Sequence, residues 1–201
     1  MLKGLGGPRL INSNVQWIRK MTSPQTLSEF ERRLVAAWAA DCAERVLWLF
    51  ESDRPTDGRP RAAIQRARAY ARGELNTADE IRRRFVGGGA ASEAKNPAAA
   101  SAARAAGQAS AVPHMGAHAL GAAAYAVRAI GLSTFGGSEA ASDELRWQLN
   151  EMTAEVRAAL KKLPLVGEDR AGPLGPGLLA SGEIGQIIRD AQTALFDRDE
   201  K

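Results

Sequence analysis

Apolar residues at helical spacing form the clearest pattern in the chain. Between residues 26 and 53 they recur every three or four positions, at Leu34, Trp38, Cys42, Val46 and Leu49. That spacing places them on one face of an α-helix. Ser28 and Glu31 precede this face as a capping box, in which each side chain accepts from the backbone N–H of the other residue. The pattern predicts a first helix over residues 26–53.

Proline and glycine residues divide the middle of the chain into further helices. Pro60 suits the first turn of a second helix, and Gly73 suits its end. A second capping box, Thr77 to Glu80, predicts a third helix, which the glycines at 87–89 weaken or interrupt. This part of the chain is therefore predicted to be helical with short breaks.

An alanine-rich helix is predicted next. Asn96 caps it, Pro97 occupies its first turn, and the helical pattern continues to about Ile130. Pro113 lies inside this stretch. It is expected to kink the helix, because proline removes one backbone hydrogen bond and clashes with the preceding turn.

The last third of the chain is predicted to contain a loop, two short helices, a linker and a final helix. The loop covers residues 131–142, and Thr153 caps the second of the two helices that follow. A linker rich in Gly and Pro then leads to an amphipathic helix, whose apolar face could dock on its own domain or on a second copy of the chain. That face consists of Ile184, Ile187, Ile188, Ala191 and Leu195.

No stretch of the sequence alternates apolar and polar residues as a strand does. The fold class is therefore predicted to be all-α, an irregular multi-helix bundle. We expect three parts. They are a loose leader at 1–25, a helical domain at 26–163, and the Gly/Pro linker with the C-terminal amphipathic helix at 164–201.

Composition and charge narrow the classes of function. The chain has 201 residues, a single cysteine and no apolar signal segment at its N-terminus, which favours the reducing cytoplasm. Residues 105–127 carry no Lys, Arg, Asp or Glu, but polar residues and Pro113 interrupt them, so a buried helix is expected rather than a membrane span. Because 27 basic residues face 23 acidic ones and no aromatic residues interleave with the basic segments, nucleic acid is not the expected partner.

The only two histidines, His114 and His118, are the first candidates for chemistry. On a continuous helix they share one stripe with Tyr125, and the residues around them are small, so another helix can approach closely. On the first helix, Asp41 and Arg45 are polar residues on or beside the apolar face. If these two helices pack together, Asp41 and Arg45 are expected to meet the histidines and Tyr125.

Three interpretations of this group are open. It can be an internal hydrogen-bond network that fixes the packing of the helices, because a neutral imidazole both donates and accepts. It can instead be a recognition pocket that faces a partner. It can also be a catalytic site, with a histidine as general base among His114, His118, Asp41 and Tyr125. In a metal site, His114 and His118 would hold the ion with Asp41 or Glu44. We expect no cofactor.

Arginines crowd the second helix and its entry. Arg59 and Arg61 lie at that entry beside Asp57, where polar groups often organise a loop, and Glu44 is available to pair with the basic residues. The ordinary interpretation is a solvated helix face with ion pairs. A surface that binds phosphate or nucleic acid is the alternative.

Four blocks of the sequence resemble a known family. They lie within about residues 30–163 and read AAWAADCAERVLWLFE, DGRPRAAIQRARAYARGEL, AARAAGQASAVPHMGAHALGAAAYAVRA and RWQLNEMTAEVRAAL. In their order and spacing they resemble the bacterial immunity protein family, the fifth-class-like group of predicted polymorphic-toxin immunity proteins. The residues that match the family pattern are Trp38, Asp41, Cys42, Glu44, Arg45, Arg59, Pro60, Arg61, His114, His118 and Tyr125.

The resemblance implies an all-α cytoplasmic protein that binds a toxin and occludes it without catalysis. The predicted binding residues are then Asp41, Glu44, Arg45, Arg59, Arg61, His114, His118 and Tyr125. The net charge of +4 favours a toxin whose covered surface is neutral or acidic. The alternative is a small helical enzyme or ligand-binding protein, for example in a biosynthetic pathway, that uses the His, Asp, Arg and Tyr side chains.

Overall fold

The structure, a computed structural model, describes residues 23–83, 89–133, 137–177 and 179–197. Within these residues the chain forms nine α-helices and no strand, which confirms the predicted all-α multi-helix bundle. The helices are α1 (Glu29–Asp53), α2 (Arg59–Ala71), α3 (Thr77–Arg83), α4 (Ala90–Glu93), α5 (Pro97–Ala111), α6 (His118–Gly131), α7 (Ser138–Asn150), α8 (Ala154–Leu160) and α9 (Gly182–Asp197). A single 3-10 turn, Pro24–Thr26, precedes α1.

Helices α5 and α6 form a hairpin, and α1 packs against both of them. The surfaces that meet are almost entirely alanine, including the fully buried Ala102, Ala105, Ala109, Ala122 and Ala126. Because alanine side chains are short, the helix axes can approach closely. Helix α1 supplies larger core side chains, among them Trp38, Val46 and Phe50. Around this centre, α2 packs on α1 and α5, α7 packs on α6, and α8 packs on α1.

The alanine-rich stretch forms two helices, not the single kinked helix that we predicted. A turn at 112–117 separates α5 from α6. Pro113 favours this break, because it lacks an N–H and its ring clashes with the preceding turn. The N-terminal segment then secures the break, since the N–H of Ala117 donates to the carbonyl of Gln25 across 3.0 Å. Among the described residues, no helix combines the length and apolar composition needed to cross a bilayer.

Three predicted helix starts are confirmed. The Oγ of Ser28 accepts from the N–H of Glu31, and the carboxylate of Glu31 accepts from the N–H of Ser28, so the capping box is complete. Asn96 caps α5 by accepting from the N–H of Ala99 at 2.8 Å. Thr153 caps α8 in the same way. These caps form because each side chain reaches a backbone donor only two or three residues away.

The predicted capping box of Thr77 and Glu80 is wrong. Asn76 caps α3 instead, and its Oδ1 accepts from the N–H of Asp79 at 2.9 Å. Glu80 is buried and forms an ion pair with Arg66 at 2.7 Å. Because the carboxylate of Glu80 pairs with Arg66, it does not serve as the acceptor for the N–H of Thr77 that the predicted capping box required.

Two further boundaries bear on the predicted loops. Helix α7 begins at Ser138, so residues 138–142, which we predicted as loop, are helical. Gly137 precedes them with a φ of +109°, a conformation that favours glycine. Of the predicted interruption at 87–89, residues 87 and 88 lie outside the described part of the chain.

Helix α9 packs on α6 and α7 of its own chain. Its buried residues include Ile184, Ile188 and Leu195, which belong to the apolar face predicted from the sequence. Of the two docking arrangements that this face allowed, the structure shows the one within the chain.

Gln25 fastens the segment between α8 and α9. Its Nε2 donates to the carboxylate of Asp169 at 2.8 Å and to the carbonyl of Ala171 at 2.6 Å, and its Oε1 accepts from the N–H of Leu174 at 2.9 Å. The Gln25 side chain is completely buried. The segment predicted as a linker is therefore packed against the N-terminal turn. The three-part division of the chain stays a prediction, because residues 1–22 lie outside the described residues.

Candidate functional site

His118 begins α6 and faces α5. Its Nδ1 donates to Oε1 of Gln108 across 2.8 Å. Burial, together with the smaller effect of the neighbouring His114, lowers the pKa of His118 to about 4. The centroids of the two imidazole rings lie 6.2 Å apart, with His114 in the turn rather than on the helix. His118 is therefore neutral near physiological pH and is a weak base there.

The predicted meeting of Asp41 and Arg45 with the histidines is wrong. Asp41 forms an ion pair with Arg68 on α2 at 2.8 Å, and Arg45 forms one with Glu144 on α7 at 2.9 Å. The physical reason is the orientation of α1. Its apolar face meets α5 and α6, so these two charged residues lie near solvent and pair with the helices on either side.

The alternative metal site is not formed either. Within the described residues, no three His, Cys, Asp or Glu side chains lie close enough together to hold one ion. Of the predicted ligands, His114 and His118 are neighbours, but Asp41 and Glu44 both pair with an arginine of α2. The catalytic set that joined Asp41 to the histidines and Tyr125 is not assembled, for the same reason.

Polar side chains line the groove between α5 and α6, which we call the α5–α6 seam. Because the two helices run in opposite directions, residues at similar distances from the turn lie beside each other. The neighbouring pairs are Gln108 with His118, Arg104 with Tyr125, and Ser101 with Arg128. The start of α9 crosses this seam, where Nε of Arg128 donates to Glu183 at 2.7 Å.

A cavity of about 370 Å³ opens where α9 crosses the seam. Its lining consists of Arg104, Tyr125, Arg128, Ser181, Glu183 and Ile184. Tyr125 is only 2% exposed, and within the described residues its hydroxyl has no hydrogen-bond partner. Burial raises the pKa of Tyr125, and the charges of Arg104 and Arg128 partly oppose this shift. The phenol is therefore protonated near neutral pH and is able to donate.

The outward side of α1 carries two exposed aromatic residues. Phe30 is 68% exposed and Trp48 is 50% exposed. Their separation corresponds to five turns at 3.6 residues per turn, so they lie on the same side of the helix. Asp41, Glu44 and Arg45 lie between them along the chain. We call these five residues the α1 face.

Residues of α2 and α7 flank the α1 face. On one side, Arg68 pairs with both Asp41 and Glu44. On the other, the guanidinium carbon of Arg45 lies 3.8 Å from the centroid of the Trp147 ring. Such stacking is a cation–π contact. The α1 face therefore combines aromatic surface with paired charges of both signs.

The arginines at the entry to α2 form ion pairs, as the ordinary interpretation expects, but their partners are not the carboxylates expected from the sequence. Arg59 pairs with Asp57 at 2.6 Å and with Glu93 at 2.7 Å, and Arg61 pairs with Glu51 at 2.7 Å. Further along the chain, carboxylates also pair with Arg66, Arg68 and Arg72. These carboxylates neutralise much of the positive charge that a phosphate-binding surface would require.

The sequence patterns did not single out Arg104, Gln108, Glu144 or Trp147. The first two were predictable in principle, because a hairpin centred on Pro113 places α5 residues opposite α6 residues at equal distance from the turn. No local signal marks Glu144 and Trp147, since their contacts with Arg45 depend on where α7 packs.

Comparison with protein families gives a match that includes the α1 face and the α5–α6 seam. The model of one family matches residues 25–155, which is more than half of the chain. The chain belongs to the Imm-5 like putative immunity protein family. This confirms the resemblance of the four sequence blocks. Helix α9, which supplies one wall of the cavity, lies outside the matched residues. No curated protein and no solved structure gives a significant match.

Proposed function

We propose that the protein is an immunity protein that binds a toxin in the cytoplasm and occludes its functional surface without catalysis. Membership in the family supports the immunity role, since the family is described by that role. The observation that carries the binding proposal is the exposure of Phe30 and Trp48 on one side of α1, within the matched residues.

Exposed aromatic residues are typical of protein interfaces. Trp, Tyr and Arg are enriched among the residues whose truncation costs most binding energy. Trp48 lies about one turn from Arg45, which stacks on Trp147, so a Trp, an Arg and a second Trp are close to one another in this region. We propose that Trp48 is the anchor of the interface and that Phe30 extends it along α1.

The charges of the α1 face define the chemistry of its partner. Asp41 and Glu44 are paired with Arg68, and Arg45 is paired with Glu144, so this surface has no strong field of either sign. Steering by opposite charge therefore contributes little to association. The covered surface of the toxin is proposed to be apolar at its centre and near neutral in charge, in line with the neutral alternative expected from the sequence.

The geometry at His118 favours binding over catalysis. Its pKa of about 4 makes it a poor general base near neutral pH, since an effective base has a pKa close to the working pH. Nδ1 is also engaged with Gln108. We propose that these residues form a structural contact between α5 and α6, which was the first of the three interpretations.

The test is co-expression of the chain with the protein encoded beside its gene. We expect the neighbouring protein to arrest growth when it is expressed alone, and growth to recover when this chain is expressed with it. We also expect the two purified proteins to elute from a sizing column as a complex. Trp48→Ala is expected to weaken the complex by about 10-fold or more, the usual cost of removing an interface anchor.

Phe196→Ala is the matched control, because Phe196 is an aromatic residue of similar exposure, 45%, on α9. It is expected to protect as well as the unchanged chain. Circular dichroism of each variant establishes that it is folded. An absence of protection and of complex formation contradicts the immunity role. Equal loss in both variants contradicts the placement of the interface on the α1 face.

A further inference from the structure

We propose that the cavity between the α5–α6 seam and the start of α9 binds a small organic anion that carries a carboxylate or phosphate group. The cavity is lined by residues outside the α1 face, so the proposal does not depend on toxin binding. It assigns a role to Arg104 and Tyr125, which the proposed function leaves without one.

Arg104 supplies the net positive charge of the site. The lining contains two guanidinium groups and one carboxylate, and the carboxylate of Glu183 is engaged by Arg128 at 2.7 Å. In the described part of the chain, Arg104 forms no ion pair, and its guanidinium carbon lies 5.9 Å from the centroid of the Tyr125 ring. A planar guanidinium binds carboxylate and phosphate through two parallel N–H donors.

Tyr125 supplies a neutral donor beside that charge. Its side chain is almost completely buried, lines the cavity, and has a hydroxyl without a hydrogen-bond partner within the described residues. The hydroxyl is not among the fully buried polar atoms that lack a partner in the described residues, so it is accessible from the cavity and is free to donate to a bound anion. Burial raises the pKa of Tyr125, which keeps the proton available for donation to an anionic oxygen.

The size and lining of the cavity define the class of ligand. A volume of about 370 Å³ lies at the lower end of the range for small-molecule sites, roughly 300–1,000 Å³. Ile184 gives one apolar wall opposite the charged residues. A small organic acid or phosphate ester fits this combination, because its anionic group is able to meet Arg104 and Tyr125 while its carbon atoms contact Ile184.

Binding of this anion would join three helices. Arg104 lies on α5, Tyr125 on α6, and Ile184 on α9. A ligand that binds the folded chain and not the unfolded chain raises the thermal midpoint, and the rise increases with ligand concentration. The site therefore couples the occupancy of the cavity to the docking of the C-terminal helix.

The test is isothermal titration calorimetry of the full chain with sodium phosphate and, separately, with sodium succinate, together with thermal unfolding in each. We expect saturable binding of at least one anion and a rise in the thermal midpoint. Arg104→Gln is expected to weaken that binding by about 10-fold or more. Tyr125→Phe, which removes only the hydroxyl, is expected to weaken it by about 3- to 10-fold.

Arg146→Gln is the matched control, because it removes the same charge from an exposed position on α7. It is expected to leave the affinity unchanged. Binding of phosphate alone assigns the site to phosphate groups, and binding of succinate alone assigns it to carboxylates. The proposal is overturned if neither anion binds, if Arg104→Gln and Tyr125→Phe bind as the unchanged chain does, or if Arg146→Gln weakens binding as much as Arg104→Gln.

Discussion

Arg45 donates from Nε to the carboxylate of Glu144 across 2.9 Å and thereby ties α1 to α7. The Glu144 side chain is only 2% exposed. A buried carboxylate that loses its charged partner keeps the full cost of its desolvation. We therefore expect Arg45→Met to lower the free energy of unfolding by about 1–3 kcal/mol, measured by urea denaturation.

The double variant Arg45→Met, Glu144→Met checks the cause of that loss. It removes the buried charge together with its partner, so we expect it to be more stable than Arg45→Met alone. If the loss of stability in the double variant equals the sum of the losses in Arg45→Met and in Glu144→Met alone, the pair does not couple the two helices.

The depressed pKa of His118, about 4 against an ordinary value near 6.5, predicts a loss of stability in acid. In that interval the unfolded chain binds the proton and the folded chain does not. The free energy of unfolding therefore has its full value, as far as His118 is concerned, above about pH 6.5, and it falls as the pH drops from about 6.5 to 4. We expect a decrease of about 1–3 kcal/mol in the free energy of unfolding across this interval.

The variant His118→Gln isolates this contribution, because its amide can still donate to Gln108 but does not titrate. Its free energy of unfolding is expected to change less between about pH 6.5 and pH 4 than that of the unchanged chain. The carboxyl groups of Glu31 and Asp57 have pKa values of about 2, lowered by hydrogen bonds from Lys162 and from Arg59. The stability that these two ionised carboxyl groups add is lost mainly below about pH 4.5. It is therefore the same in the unchanged chain and in His118→Gln over the interval compared. Identical slopes in the two proteins would contradict the prediction.

Two glycines inside helices are expected to respond to alanine with opposite signs. At Gly107, a Cβ would meet no atom within 4 Å. At Gly121, it would lie 2.6 Å from Oε1 of Gln108 and 2.9 Å from Cδ1 of Leu179. Gly107→Ala should therefore stabilise the chain by up to about 1 kcal/mol through helix propensity. Gly121→Ala should destabilise it by about 1–3 kcal/mol, because the bond between Gln108 and His118 must shift.

Thermal unfolding of the two variants side by side measures this difference, since each serves as the control for the other. The midpoint should rise for Gly107→Ala and fall for Gly121→Ala. A rise in both would show that the α5–α6 seam has room for a methyl group beside Gln108.

Gln25 is expected to control the order of the segment that leads to α9. Gln25→Ala removes the three hydrogen bonds to Asp169, Ala171 and Leu174 and leaves buried backbone groups without partners. We expect faster amide hydrogen exchange over residues 165–177 and a loss of about 2–4 kcal/mol in the free energy of unfolding. Gln186→Ala, on the exposed side of α9, is the control and should change neither quantity. Unchanged exchange in Gln25→Ala would show that other contacts hold the segment.

Local chemistry made much of the helical framework predictable. The caps at Ser28, Asn96 and Thr153 are confirmed, because each depends on a side chain and a backbone donor within three residues. The capping box at Thr77 failed where a nonlocal partner competed, since Arg66 engages the glutamate that the pattern assigned to it. Pro113 was recognised as a disruption, but a single residue does not determine whether a helix bends or ends.

The candidate site was less predictable than the helices. Residue spacing predicted that Asp41 and Arg45 lie on or beside the apolar face of α1. Spacing does not show which helix packs against each side of that face. Asp41 pairs with α2 and Arg45 with α7, while α5 and α6 meet the alanine and aliphatic residues between them. The break at Pro113 also removed His114 from the stripe on which the expected contact depended.

The sequence by itself determined the helical class, several of the helix starts and the family, because these depend on residue spacing, capping side chains and the order of short blocks. Only the tertiary structure decided that Gln108 is the partner of His118, that Arg104 and Tyr125 share a cavity, and that the start of α9 lines it. The physical reason is that a helical pattern fixes the direction of each side chain relative to its own axis. The neighbours in that direction are fixed only when all the helices pack together.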